Sequence, residues 1–174
     1  MTAKEFLRAV ANGPCDLIQV LLHILEEAGA EYCLIGGLAV NAYADPVVSL
    51  DLDLVVVSDR IGVVCDLARA RGLRVEHFEH SINLSSPGSD LRVQLQTDQR
   101  YEAFVRRARW QKVLGYEMQV AQVEDVLQGK IWAYQDETRR KSKRQKDLAD
   151  ILRLIEAHPR LRDRVPEAIL KKAE

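Results

Sequence analysis

Asp51 and Asp53 stand two residues apart in the run Leu50-Asp51-Leu52-Asp53-Leu54-Val55-Val56-Val57. The alternation is that of a β-strand, with the leucines on one side and both carboxylates on the other, about 7 Å apart along the chain. Like charges on one face of an otherwise apolar strand repel and cost stability. A hard divalent cation resolves that cost, because Mg²⁺ takes one or two carboxylates together with phosphate oxygens. The alternative is an open sheet face on which both acids meet water. A second feature lies upstream: Gly36-Gly37 follows the apolar run Tyr32-Cys33-Leu34-Ile35 and precedes Leu38-Ala39-Val40-Asn41-Ala42-Tyr43. Glycines at a strand-to-helix corner let backbone N–H groups approach a ligand closely, and the helix start adds unpaired donors that suit phosphate. A glycine pair alone is most often just a turn. Here it stands on the corner that precedes the acidic strand, with Gly37 fourteen residues before Asp51.

The elements that must position these residues can be read around them. Thr2 and Glu5 have capping-box spacing, so a short helix opens the chain and Gly13-Pro14 breaks it. Leu17, Leu21, Ile24, Leu25 and Ala28 recur at helical spacing until Gly29 closes that helix. Strands are expected over 32–35, 50–57, 73–78, 81–84 and 91–97, the last with Arg92, Gln94 and Gln96 on one face. Ser58 or Asp59 is placed to cap the helix that Gly72 ends. A helix over 101–108, a hairpin over 112–120 through Gly115, and helices over 123–135, 143–157 and 167–173 complete the chain. Strands interleaved with helices predict an α+β fold, a mixed β-sheet flanked by helices. Residues 1–174 are expected to form one domain, with 123–174 a C-terminal helical part packed on it.

Composition excludes several classes. The chain has 174 residues, 47% hydrophobic and 29% charged, which is ordinary for a globular protein. No apolar run approaches the ~20 residues that span a bilayer. The start, MTAKEFLRAV, has no uninterrupted apolar core, so no secretory leader and a cytoplasmic location are expected. Cys15, Cys33 and Cys65 stand in apolar contexts without a CxxC and read as buried free thiols. Residues 130–174 carry 13 Lys/Arg against 8 Asp/Glu, a net of +5 that leaves −6 on residues 1–129. A basic end on an acidic body points to an anionic ligand, although a solvated helix face explains it too. His77 and His80 lack a second ligand pair for zinc, and Trp110, Trp132 and Tyr134 read as packing residues.

Taken together, Gly36-Gly37 and Asp51-Leu52-Asp53 within YCLIGGLAVNAYADPVVSLDLDLVV resemble the nucleotidyltransferase superfamily. In that superfamily a glycine turn holds a nucleoside triphosphate and a DxD strand binds metal. The closer resemblance is to small standalone members related to the abortive-infection AbiEii toxins. Ser49 stands where those carry Thr, whereas Val47 and Ala44 replace their Arg and Gly. Glu124 to Lys130 and the stretch RRKSKRQKDLAD, 139–150, resemble two downstream motifs, so the likeness covers most of residues 31–157. It implies Asp51 and Asp53 as metal-binding and catalytic, and Gly36, Gly37, Ser49, Lys130, Lys146 and Asp147 as nucleotide-binding. Lys130 and Lys146 are compact cations suited to phosphate oxygens. Asp150 reads as a helix ion pair with Lys143 and Lys146. The superfamily also places a third catalytic carboxylate on a neighbouring strand, and Gln94 stands at that position. An amide can coordinate but cannot act as a base near neutral pH. Asp90 and Asp98 share its face but lie about 13 Å away along the strand.

The resemblance therefore implies a Mg²⁺- or Mn²⁺-dependent transfer of a nucleotide from an NTP to an RNA, such as tRNA, or to a protein, with a toxin–antitoxin role and a cognate antitoxin as partner. Arg139, Arg140, Lys141, Lys143 and Arg144 are the expected RNA contacts. The rival expectations are a catalytically degenerate nucleotide- or RNA-binding module of the same fold, and an interaction protein acting through its basic end.

Overall fold

The computed structural model describes residues 2–12 and 16–172. The break expected at Gly13-Pro14, the thiol of Cys15 and the last residue of the expected helix over 167–173 lie outside them. Helix α1 (Ala3–Val10) begins with the capping box read from sequence: Thr2 Oγ1 accepts from Glu5 N at 3.2 Å and Thr2 N donates to Glu5 Oε2 at 2.7 Å. In α2 (Leu17–Glu27) the buried Leu17, Ile18, Leu21, Ile24 and Leu25 form one stripe, and Asp16 caps its start. The turn into α4 (Ile61–Ala70) differs from expectation. A 3-10 turn over Ser58–Arg60 runs into the helix, and neither Ser58 nor Asp59 makes a side-chain cap.

Seven strands form one mixed sheet: β1 (Tyr32–Ile35), β2 (Asp51–Val56), β3 (Arg74–His77), β4 (Ser81–Ser85), β5 (Arg92–Gln96), β6 (Arg109–Val113) and β7 (Tyr116–Val120), in the order β3-β4-β5-β2-β1-β7-β6. β2 is central, antiparallel to β1 and parallel to β5. The β6–β7 hairpin turns through Leu114 and Gly115, both at positive φ (50° and 84°), the backbone signature of a two-residue hairpin turn. The α+β architecture expected from the alternation of elements is the one observed.

Between β1 and β2 the chain forms the short helix α3 (Gly36–Val40) and then a loop tied by Asn41, whose side chain accepts from Val47 N at 3.0 Å and donates to Val47 O at 2.8 Å. After α5 (Glu102–Arg107) and the hairpin come α6 (Val123–Gln135), α7 (Lys141–Ala157) and α8 (Glu167–Leu170). α6 packs along α7, and both touch α3. Their buried residues, among them Leu127, Ile131, Leu148, Ile151 and Leu154, belong to the same core cluster as Leu34, Leu52, Leu54 and Val93 of the sheet. α6 and α7 are thus held against the strand-to-helix corner by burial of apolar surface. Among the described residues no helix is long and apolar enough to cross a membrane.

Candidate functional site

β2 alternates as its sequence dictates: Leu52 and Leu54 are buried, and Asp51 and Asp53 are partly buried on the other face. Because β2 and β5 run parallel and in register, Asp51 lies beside Arg92 and Asp53 beside Gln94. Gln94 in turn lies beside Asn83 of β4. This polar face forms the floor of a cavity that Gly36 and Tyr101 border and that α6, α7 and the turn joining them roof with Asp125, Gly129, Lys130, Arg139, Lys143 and Asp147.

The Asp53 carboxylate forms no hydrogen bond or ion pair with any described residue, although its backbone belongs to the sheet. Its surface is partly open to the cavity, but protein rings it on a wider scale. Desolvation pushes its pKa above the ordinary carboxylate range against the pull of Lys130, and the neighbouring charge of Asp51 pushes the same way. Asp51 differs. Burial raises its pKa too, but Lys143, at 3.0 Å from Oδ2, and Arg92, with Nε 3.0 Å from Oδ1, outweigh that and hold it below the usual range. The two acids therefore have opposite environments: one is paired twice and the other is left with its charge uncompensated at contact range.

Gly36 has a positive φ of 71°, and a Cβ there would overlap the Asp53 carboxylate. The corner can be that tight only without a side chain. Gly37 is less constrained, since a Cβ there would stand 3.9 Å from both Asp150 Oδ2 and Ser49 Oγ. Gly36→Ala is expected to lower stability by about 1–3 kcal/mol through backbone strain alone, plus the displacement of Asp53. Gly37→Ala should melt close to the wild type. Thermal melts of the two variants check this, and equal melting temperatures would refute it.

The remaining candidate residues fall into two groups. Ser49 is buried, and its hydroxyl accepts from Asp51 N at 3.3 Å, so it shapes the entry to β2 rather than facing the cavity. Lys146 is exposed and outside the cavity wall, though close enough to lower the pKa of Asp51. Lys130 does reach the wall, but as the centre of a buried cluster. Its Nζ lies 3.1 Å from Asp147 Oδ1 and 2.7 Å from Asp150 Oδ2, the second contact without hydrogen-bond alignment. Burial opposes its charge, and Asp150 and Asp147 outweigh that and raise its pKa. Asp147 is also held by Arg139 at 2.7 Å, and Asp150 by Arg153 at 2.8 Å. Asp150 thus pairs with Lys130 and Arg153, not with Lys143 and Lys146 as the helix spacing implied. Asp147 presents no free carboxylate for a ligand.

The basic run does not form one strip for an RNA backbone. Arg139 is tied to Asp147, Lys143 to Asp51, and Arg144 donates to the Tyr134 carbonyl at 2.7 Å; Arg140 and Lys141 remain exposed. Of the aromatic residues, Trp132 packs as expected, stacked on Phe104 at 5.7 Å, and Tyr134 is buried, but Trp110 is 66% exposed on the edge strand β6. Sequence reasoning placed Arg92 on the right face but missed its contact with Asp51. It missed Asn83 of the cavity wall altogether, whose buried Oδ1 lacks a partner among the described residues. The even spacing of Arg92, Gln94 and Gln96 was the available signal; the pairing of β2 with β5 was not visible in it.

Two carboxylates and the Gln94 amide are hard oxygen donors on one concave face, and they fit Mg²⁺ or Mn²⁺. Among the described residues no three His, Cys, Asp or Glu groups converge as a metal site. An ion here must complete its shell with water and with oxygens of the ligand, which is how Mg²⁺ is usually held beside phosphates.

No protein-family model matches the sequence, and no curated protein matches it. Solved structures do match. The chain is similar to the crystal structure of ANT(2'')-Ia in complex with adenylyl-2''-tobramycin, at a TM-score of 0.62 and 17% identity over 91% of this chain and 97% of that one. It is similar to the lincosamide antibiotic adenylyltransferase LnuA, lincomycin-bound, at a TM-score of 0.57 and 11% identity over 83% and 99%. It also matches an antigenic nucleotidyltransferase-like protein from Paracoccidioides brasiliensis, at 0.54 and 19% over 88% and 77%. The chain has the nucleotidyltransferase fold.

Proposed function

We propose that this protein is a divalent-metal-dependent nucleotidyltransferase that moves a nucleotide from an NTP to an acceptor hydroxyl. The observation that carries the reading is Asp53: a carboxylate without a bonded partner among the described residues, two positions from Asp51 and pressed against a glycine that cannot bear a side chain. A lone desolvated carboxylate is costly, and a cation arriving with a polyphosphate removes that cost. Asp51 and Asp53 would hold Mg²⁺ or Mn²⁺, which supplies Lewis-acid charge to phosphate oxygens. The backbone N–H groups of Gly36 and Gly37 would face the triphosphate. The acceptor oxygen forms a bond to the α-phosphorus, the bond from that phosphorus to the bridging β-oxygen breaks, and pyrophosphate leaves. The hydroxyl proton passes to water, because Gln94 cannot take it.

Two acceptor classes are supported by different observations. The exposed Arg140, Lys141 and Lys146 at the start of α7 suit RNA, tRNA included. Two of the structural neighbours, ANT(2'')-Ia with adenylyl-2''-tobramycin and the lincosamide antibiotic adenylyltransferase LnuA, hold antibiotic ligands, which favours a small-molecule acceptor. A toxin–antitoxin role and an antitoxin partner rest on sequence resemblance alone. The test is incubation with each of four labelled NTPs, Mg²⁺ and, separately, total RNA or a panel of aminoglycosides and lincosamides. Label entering neither fraction above background refutes transfer.

A second reading, a degenerate nucleotide-binding module, is favoured by the position of Gln94 beside Asp53. If the wild type binds NTP without product and Gln94→Asp gains transfer, the site is a decayed enzyme. In the leading reading, Gln94→Asp changes an activity that the wild type already has.

A further inference from the structure

We propose that Lys143 and Arg92 stand in for a second metal ion, so that the site works with one divalent cation and two side-chain cations on the triphosphate. This rests on the transferase reading above. Among the described residues, the acids of the cavity wall other than Asp51 and Asp53 are already engaged. Asp125 is bound bidentately by Arg107 at 2.9 and 2.8 Å, Asp147 is held by Lys130 and Arg139, and Asp90 and Asp98 are tied to Asn12 and Arg100. Gln94 occupies the register position beside Asp53 and adds no charge. A second ion would therefore lack the carboxylate that normally compensates it.

The missing positive charge is present in another form. Arg92 and Lys143 occupy the two oxygens of Asp51, each at 3.0 Å. Mg²⁺ would sit at about 2.0–2.1 Å from such an oxygen, so an ammonium bound there lies roughly an ångström from the position of an ion. Two single charges match one divalent charge. Both side chains keep freedom to move: Arg92 is 68% exposed and Lys143 33%. With a cation held by Asp51, Arg92 and Lys143 would be free to meet the phosphate oxygens of the triphosphate. A guanidinium and an ammonium are both suited to that contact.

The experiment counts Mn²⁺ by electron paramagnetic resonance in the presence of the α,β-imido analogues of ATP, GTP, CTP and UTP, tested separately. The wild type is expected to hold one Mn²⁺ per bound analogue. Lys143→Ala should weaken the analogue on the order of tenfold to a hundredfold, the scale of a charged hydrogen bond. Lys143→Arg, which keeps the charge, should recover most of that loss and guards against a folding artefact. The double variant Gln94→Asp/Lys143→Ala should hold two Mn²⁺. Two Mn²⁺ in the wild type, or unchanged affinity in Lys143→Ala, overturns this proposal while leaving the transferase reading intact. Failure of all four analogues to bind overturns both.

Discussion

Asp53→Asn is expected to abolish nucleotidyl transfer, lowering kcat/KM by roughly 10³-fold or more, while raising the melting temperature of the ligand-free protein. The loss follows from removing one of two carboxylates that hold the catalytic cation, an interaction of several kcal/mol in the transition state. The gain in stability follows from the surroundings of Asp53. Desolvation raises its pKa in the folded protein, so folding is opposed whenever the group must ionise. Its favourable contribution is complete below the unfolded value of 3.8 and is lost as pH rises through the folded value. At neutral pH the asparagine therefore relieves a cost. The difference in melting temperature between Asp53→Asn and wild type should shrink towards zero as pH falls below about 4. Asp51→Asn should lose transfer as severely but gain no stability, because it removes the anchor of Arg92 and Lys143. Calorimetric melts in EDTA across pH, beside transfer assays with labelled NTP, separate the two acids. Retained transfer in Asp53→Asn would remove the basis of the proposed function.

The contrast between those two acids marks where sequence reading stopped. The strand and its faces were legible, because a period of two in Leu50 to Leu54 admits no other regular element. So was the glycine corner, and so was the polar face of Arg92, Gln94 and Gln96. All of these depend on local period. Which cation meets which acid depends on the order of the strands and on how α6 and α7 dock, and the contacts made there join residues far apart in sequence. Lys143 reaches Asp51 across 92 positions and Arg107 reaches Asp125 across 18. Helical spacing offered Asp150 to Lys143 and Lys146. Burial of the Ile151 and Leu154 stripe rotates Asp150 inward instead, where Lys130 and Arg153 wait. The basic run misled for the same reason: a charge count does not reveal which charges face inward.

Lys130 is where this matters most for stability. Lys130 is 7% exposed, and its ammonium stands between Asp147 and Asp150, themselves 1% and 4% exposed. Removing one partner from a buried charge cluster leaves the others desolvated and uncompensated, at a cost of about 3–5 kcal/mol. Lys130→Met is therefore expected to lower the melting temperature by roughly 6–20 °C, at ~2–4 °C per kcal/mol for a chain of this size. Lys130→Met/Asp150→Asn should recover part of that loss, because Asp147 keeps Arg139 and Asp150 no longer carries a charge. The pKa of Lys130 is raised in the fold, so its contribution is intact below 10.5, the unfolded value, and is lost only as pH climbs through the higher folded value. A merely surface-bound lysine would show none of this. The same variant also decides what Lys130 does at the site. If the ammonium only braces α6 against α7, Lys130→Met held below its melting point should bind an NTP analogue within about threefold of wild type, since no charged contact to phosphate is lost. A drop on the order of a hundredfold in folded protein would mean that Lys130 leaves its acids to meet phosphate, and would return to it the role that its motif implied.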